Sequence, residues 1–136
     1  MSPRRFIHTL RVYYEDTDAG GVVYYANYLK YLERARTEAL RELGFDQPRL
    51  LTQEGLAFVV RAITADYRKP ARLDDALEVR STVSKIGRAS LEFSQVVTRG
   101  DTPLLEASVL IACVHLSLQK PAPLPGDLLA RLKEST

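Results

Sequence analysis

The sequence predicts an α+β fold: an antiparallel sheet with one long helix laid on its face. Three observations carry that prediction. A single long stretch, residues 26–43, holds a sustained helical spacing of apolar side chains. One strand candidate precedes it and four long ones follow. The turns Gly87-Arg88 and Gly100-Asp101 read as hairpins, which join antiparallel neighbours.

Residues 6–14 are rich in β-branched and aromatic types and read as the first strand. In the helix, Tyr28, Tyr31, Leu32, Ala35, Ala39 and Leu43 fall on one face. Lys30, Glu33, Arg34, Thr37, Glu38, Arg41 and Glu42 lie mostly away from it. Two alanines mid-stripe predict close approach of another backbone. Gly44 stands where a left-handed residue would stop the helix. Residues 45–55 form a connector, with a helical turn expected at 49–53. Residues 57–67, 77–86, 89–98 and 104–118 are the four later strands. The second alternates Leu77, Val79 and Val83 against Glu78, Arg80, Thr82 and Ser84. The third sets Leu91, Phe93 and Val97 against Glu92, Ser94 and Thr98. The fourth is more continuously apolar, so it is expected to be central or interfacial. Pro121, Pro123 and Pro125 are expected to exclude regular structure, and residues 126–133 read as a short terminal helix.

A chain of 136 residues suits one domain, 1–136, with a real core. Hydrophobic residues make up 46% and charged residues 26%, an ordinary globular balance. The net charge of +2 has no concentrated basic face, so no nucleic-acid partner is expected. No run is long enough to span a bilayer, and Arg4 and Arg5 are not followed by a signal-type apolar region. The single Cys113 excludes an internal disulfide and reads as a buried core residue; it points weakly to the cytoplasm. A sheet with one face covered by one helix leaves surface for a partner, so a homo-oligomer is expected.

The chemistry concentrates just before the helix. Glu15, Asp16 and Asp18 form an acidic cluster, followed by Ala19-Gly20-Gly21 and Val22-Val23-Tyr24-Tyr25. Read as extended chain, Asp16 and Asp18 point one way and Glu15 the other. Asp18 is nearest the glycines and the helix start, which makes it the candidate base or nucleophile. The competing reading is an acidic turn whose aspartate satisfies turn amides. Gly20 and Gly21 either let a substrate approach the backbone or simply supply the turn. Tyr24 and Tyr25 line a pocket or pack into the core, with packing favoured for at least one. The backbone N–H of Tyr25 lies near the helix N-terminus, placed to donate to a developing oxyanion. The reading requires the Asp18 side chain to sit beside main-chain donors inside a cavity.

Other catalytic apparatus is sparse. His8 and His115 each lie within a strand and read as packing residues. There is no Gly-x-Ser-x-Gly elbow and no histidine pair at metal-binding spacing. Arg68, Lys69, Arg72, Lys85 and Arg88 flank turns, either as solvated charge or as docking points for a phosphate-bearing ligand, with Ser90 a further donor.

The run from Arg11 through Asp18 to Tyr25, with Ala26-Asn27-Tyr28 and the segment from Tyr31 to Glu38, resembles the hotdog-fold acyl-CoA thioesterases. It is most similar to the Tol–Pal-associated branch of the 4-hydroxybenzoyl-CoA thioesterase family. Residues 57–61, 70–75 and 109–114 extend the resemblance over nearly the whole chain. It implies one long helix wrapped by a five-stranded antiparallel sheet, and hydrolysis of an acyl-CoA thioester. By motif position Asp18 matches the catalytic aspartate, and Tyr25 the residue whose amide polarises the thioester carbonyl. The resemblance implies homodimers or tetramers of dimers, with the site at the dimer interface. Arg88 and Ser90 loosely match its CoA-contacting region. That branch often has His where this chain has Tyr25; the benzoyl-type enzymes have Tyr.

The expected protein is therefore a cytoplasmic acyl-CoA thioesterase using Asp18 as base or nucleophile and the Tyr25 amide as oxyanion donor. Gly20, Gly21, Tyr24, Arg88 and Ser90 are candidate substrate contacts. No metal or redox cofactor is expected. The carrier, CoA or acyl carrier protein, stays open. The alternative is a non-catalytic acyl-CoA or acyl-carrier binding module. A hotdog dehydratase fits less well, because neither histidine suits that role.

Overall fold

The computed structural model describes residues 4–134. The chain runs β1 (Phe6–Arg11), α1 (Asn27–Glu42), α2 (Gln47–Glu54), β2 (Leu56–Tyr67), β3 (Ala76–Ile86), β4 (Ser90–Arg99), β5 (Thr102–His115), β6 (Lys120–Pro121) and α3 (Gly126–Glu134). Five long strands form one antiparallel sheet in the order β1-β3-β4-β5-β2, and the two-residue β6 pairs with the end of β5. The sheet wraps α1.

Alternation explains the core. Leu77, Val79 and Val83 of β3, Leu91, Phe93 and Val97 of β4, and Val109, Ile111 and Cys113 of β5 are buried with the α1 stripe Tyr28, Tyr31, Leu32, Ala35, Ala39, Leu40 and Leu43. The continuously apolar β5 is central, between β4 and β2. Ala35 and Ala39 lie beside β1, where their small side chains let strand and helix approach.

α1 ends as its sequence dictates. Gly44 takes φ +89°, Phe45 N–H donates to the Leu40 carbonyl at 2.9 Å, and Gly44 N–H donates to the Arg41 carbonyl at 2.9 Å. This is the double bond of a Schellman stop. The turn expected at 49–53 is a two-turn helix, because Asp46 accepts from Arg49 N–H at its start and Gly55 closes it with φ +69°.

Two expectations need correction. The first strand stops at Arg11, not at residue 14: Tyr14–Asp16 winds into a single 3-10 turn. The extended-chain argument for where Glu15 and Asp16 point therefore fails. The proline-rich tail is not wholly irregular, since Lys120–Pro121 forms β6 and Ala122 N–H donates to the Cys113 carbonyl.

The long edge strand β2 is exposed along its middle, including Val59, Val60 and Ile63. Its pairing with β5 slips between Val60 and Ala62. Arg61 is the extra residue, so facing changes from even to odd numbers there. Phe58 and Val60, then Ile63, Ala65 and Tyr67, stand opposite Cys113, Ile111, Val109, Ala107 and Leu105 and share their face. Among the described residues no helix is long and apolar enough to cross a membrane.

Candidate active site

The segment between β1 and α1 is tied down at both ends. Val12 is fully buried and exchanges backbone hydrogen bonds with the 74–75 turn. Val23 N–H donates to the Ala71 carbonyl at 2.8 Å, and Thr17 bridges Val23. Between these anchors the acids divide their roles. Asp16 is structural: its carboxylate accepts from Tyr13 N–H at 2.9 Å. Its carbonyl takes the Tyr24 N–H at 3.0 Å and the Asn27 side-chain amide at 2.8 Å. Asp16 thus locks the 3-10 turn onto the start of α1.

Asp18 sits at the head of a tight turn. Gly21 N–H closes the turn onto the Asp18 carbonyl at 3.0 Å, and Gly20 N–H donates to Asp18 Oδ1 at 2.8 Å. The glycines are needed here. Gly21 has φ +79°, and a Cβ on Gly20 would lie 3.2 Å from Asp18 Oδ1. The turn reading holds, and it engages only one carboxylate oxygen, so the catalytic reading of Asp18 is compatible with it. Oδ2 has no hydrogen-bond donor among the described residues. The expected enclosure is not met within one protomer, where the Asp18 side chain is exposed.

α1 begins without a side-chain cap, at Ala26 in helical conformation. The N–H groups of Tyr25 and Ala26 have no acceptor among the described residues, whereas those of Asn27, Tyr28 and Leu29 reach back to Tyr24, Tyr25 and Ala26. Two free donors at the positive end of a helix are therefore available to an anion. Neither Tyr24 nor Tyr25 is a core residue: they are 46% and 62% exposed, with rings 4.7 Å apart. The neighbouring Tyr25 phenol, toward which the Tyr24 hydroxyl acts as donor, holds that hydroxyl above its ordinary pKa.

Beside them lies a cavity of about 280 Å³ lined by Val23, Tyr25, Tyr28, Tyr67, Arg68, Lys69 and Pro70. Tyr67 was not legible as part of the site. Its hydroxyl donates to the Tyr25 carbonyl at 3.3 Å, and its ring meets Tyr28 edge-on at 5.6 Å. Tyr28 in turn accepts from Ala71 N–H at 2.9 Å. The signal was position alone: a tyrosine closing the strand just before Arg68 and Lys69.

Not every candidate joins this group. Arg88 and Ser90 lie at the hairpin between β3 and β4, whereas the Asp18 turn is next to Arg72, by the other end of β3. The length of β3, roughly 33 Å at strand rise, separates the two ends. Arg88 and Ser90 can meet an Asp18 only from another subunit. Arg68 is occupied by Asp66 and Glu106, and His115 Nδ1 is taken up locally by Ser117 and Leu118. Cys113 is buried, which raises its thiol pKa above the ordinary range.

Fold and site together define a hotdog-type domain: a curled antiparallel sheet around one helix, with a carboxylate on a glycine turn at that helix's open end. The comparisons give the class its name. The sequence pattern of the Thioesterase superfamily matches residues 20–106. An acyl-CoA thioester hydrolase, YbgC, of Escherichia coli O6:H1 is 47% identical over 98% of this chain and all of its own length. The acyl-CoA thioesterase YbgC of Haemophilus influenzae is 49% identical over 96% of both chains. The crystal structure of a probable thioesterase from Bartonella henselae superposes with a TM-score of 0.84 at 36% identity, covering 89% of this chain and 99% of that one. The chain belongs to the thioesterase superfamily.

Proposed function

We propose that the protein is an acyl-CoA thioesterase that hydrolyses the thioester to a free acid and CoA thiol. The observation that carries the reading is the pairing of a half-free Asp18 carboxylate with the unsatisfied N–H groups of Tyr25 and Ala26. Asp18 either takes a proton from water or attacks the carbonyl to give an anhydride that water opens. The N–H groups at the head of α1 stabilise the oxyanion as it forms. The names carried by relatives of nearly full length support CoA as the carrier.

The exposed Asp18 needs a second wall to exclude water. The bare edge of β2, with Val59, Val60 and Ile63 exposed, suits antiparallel pairing with the same strand of a second copy. A dimer so formed supplies that wall, and a tetramer of two dimers could bring Arg88 and Ser90 to a neighbour's site. Size-exclusion chromatography with light scattering measures both. An unpaired cysteine and a CoA ester as substrate support a cytoplasmic location.

The test is Asp18→Asn with thiol release monitored by a thiol reagent. The variant is expected to keep its fold and assembly and to lose at least ~10² in turnover. Near-normal hydrolysis would overturn the assignment. Tight CoA-ester binding with no thiol release by the unmodified protein would favour an acyl-CoA binding module instead, and a preference for carrier-protein esters would move the substrate to acyl carrier protein.

A further inference from the structure

Arg36 is a charged residue inside the core. It is 6% exposed, on the same helical face as Leu32 and Leu40. Its Nη1 donates to Gln95 Oε1 at 3.0 Å, and Gln95 is itself held by the Leu32 carbonyl and Ser81 Oγ. Among the described residues no carboxylate lies within salt-bridge distance of the guanidinium. Desolvation holds its pKa below the ordinary arginine range. A guanidinium has five N–H donors, and this one has a single protein acceptor.

Arg36 also lines a cavity of about 70 Å³, walled by Thr37 and Leu40 of α1, Gln47 of α2, Phe58 and Val60 of β2 and Ile111 of β5. At about 30 Å³ per water-sized group, that volume accepts a carboxylate head. Glu33 touches the same space, but it is exposed and already accepts from Thr37 Oγ1 at 3.1 Å. Solvent screens its charge, so the buried cation dominates the deeper part of the cavity.

Within one protomer the cavity lies about 16 Å along α1 from Tyr25, eleven residues away. Two-fold pairing of β2 changes that. The exposed middle of the strand, residues 59–64, centres the axis near residues 61 and 62. Phe58 of one copy then lies about two residues, and Val60 about four, from the Tyr67 end of the other, against which Tyr25 packs. The Arg36 cavity thus faces the second copy's Asp18 loop.

We propose that this cavity receives the far end of the acyl group, and that Arg36 selects acyl chains ending in a carboxylate, the monothioesters of dicarboxylic acids. The inference rests on the thioesterase reading and on the β2 pairing. The planar fork of the guanidinium binds a carboxylate through two parallel hydrogen bonds. A methyl end would leave Gln95 Oε1 as the one acceptor of the buried cation.

The experiment compares kcat/KM for CoA esters matched in length: succinyl with butyryl, glutaryl with pentanoyl, adipyl with hexanoyl, suberyl with octanoyl. At one length or more the carboxyl-ended ester should be favoured by about ten- to a hundredfold. Arg36→Met should erase the advantage. A preference for the methyl end at every length overturns the inference and leaves the thioesterase standing. A second readout does not need turnover: thermal shift with free adipate and suberate against hexanoate and octanoate. If no ester is cleaved, the thioesterase reading fails. Stabilisation of the unmodified protein by the dicarboxylates alone would then still support the cavity assignment, and equal or absent stabilisation would defeat it. The length series and the thermal shift of the unmodified protein stand even if Arg36→Met does not fold.

Discussion

The two halves of α1 treat polar groups in opposite ways. At the N-terminal end the Tyr25 and Ala26 N–H groups and one Asp18 oxygen are left without protein partners, at the surface. In the second half, Arg36 is under cover, and Gln95 spends its whole amide on Arg36, Leu32 and Ser81. Unpaired groups are tolerated where water reaches them, and there they are available to a substrate. Where water is excluded, each must be matched or it costs stability. Activity should therefore be sensitive at the open end and folding at the closed one.

That contrast can be broken or sharpened. The largest effect is expected at the open end: Asp18→Asn should cost at least ~10² in turnover with little change in Tm, measured by thiol release and thermal melting. Next, Gln95→Leu should lower unfolding free energy by about 3 kcal/mol in urea titrations. It strands a buried guanidinium and the Ser81 hydroxyl. A loss below about 1 kcal/mol would show that the closed half does not depend on its network. Asp16→Ala, two residues from Asp18, should cost about 1 kcal/mol of stability, because it removes the bond to Tyr13 N–H.

A pH series sharpens the same boundary. Burial alone would raise the Asp75 pKa, but the Arg72 N–H and the Arg99 guanidinium outweigh it and hold the carboxyl below its ordinary range. A folded pKa below the unfolded one adds stability that is present above the unfolded value, about 4, and is lost as pH falls through the folded one. Tm should drop as pH is lowered from about 5 to about 2, and Asp75→Asn should flatten that drop. The smallest effect concerns Tyr31. Its buried hydroxyl has no partner within hydrogen-bond distance among the described residues, and burial, then the Asp16 carboxylate it faces, push its pKa above the ordinary tyrosine range. Tyr31→Phe should leave Tm unchanged or slightly raised, because the hydroxyl it removes is an unpaired one.

Much of this was legible in the chain. The stripe Tyr28, Tyr31, Leu32, Ala35, Ala39 and Leu43 is buried throughout, since a 3.6-residue period over sixteen residues admits one reading. The alternation of β3 and β4 was equally plain. The 3-10 turn at Tyr14–Asp16 was not, because three residues carry no period. Sheet order was hidden as well: β2 pairs with β5 through contacts far apart in sequence. Asp18 could be picked out by its glycines, but its exposure depends on neighbours one chain does not supply. Arg36 interrupts an apolar stripe at i+4 from Leu32, and a charge at such a position was the one available sign of the cavity behind it.

The phase of β2 beyond Arg61 has a consequence for how the site could be dismantled without touching it. Removing a regularly paired residue after it, such as Thr64, would put the end of β2 one step out of phase with β5 and turn Tyr67 to the far side of the sheet. The phenol that steadies the Tyr25 carbonyl would then point outward, and the head of the helix would lose its brace. One codon, more than thirty residues along the chain from any group assigned to bond breaking, would thus decide whether those groups are held in place.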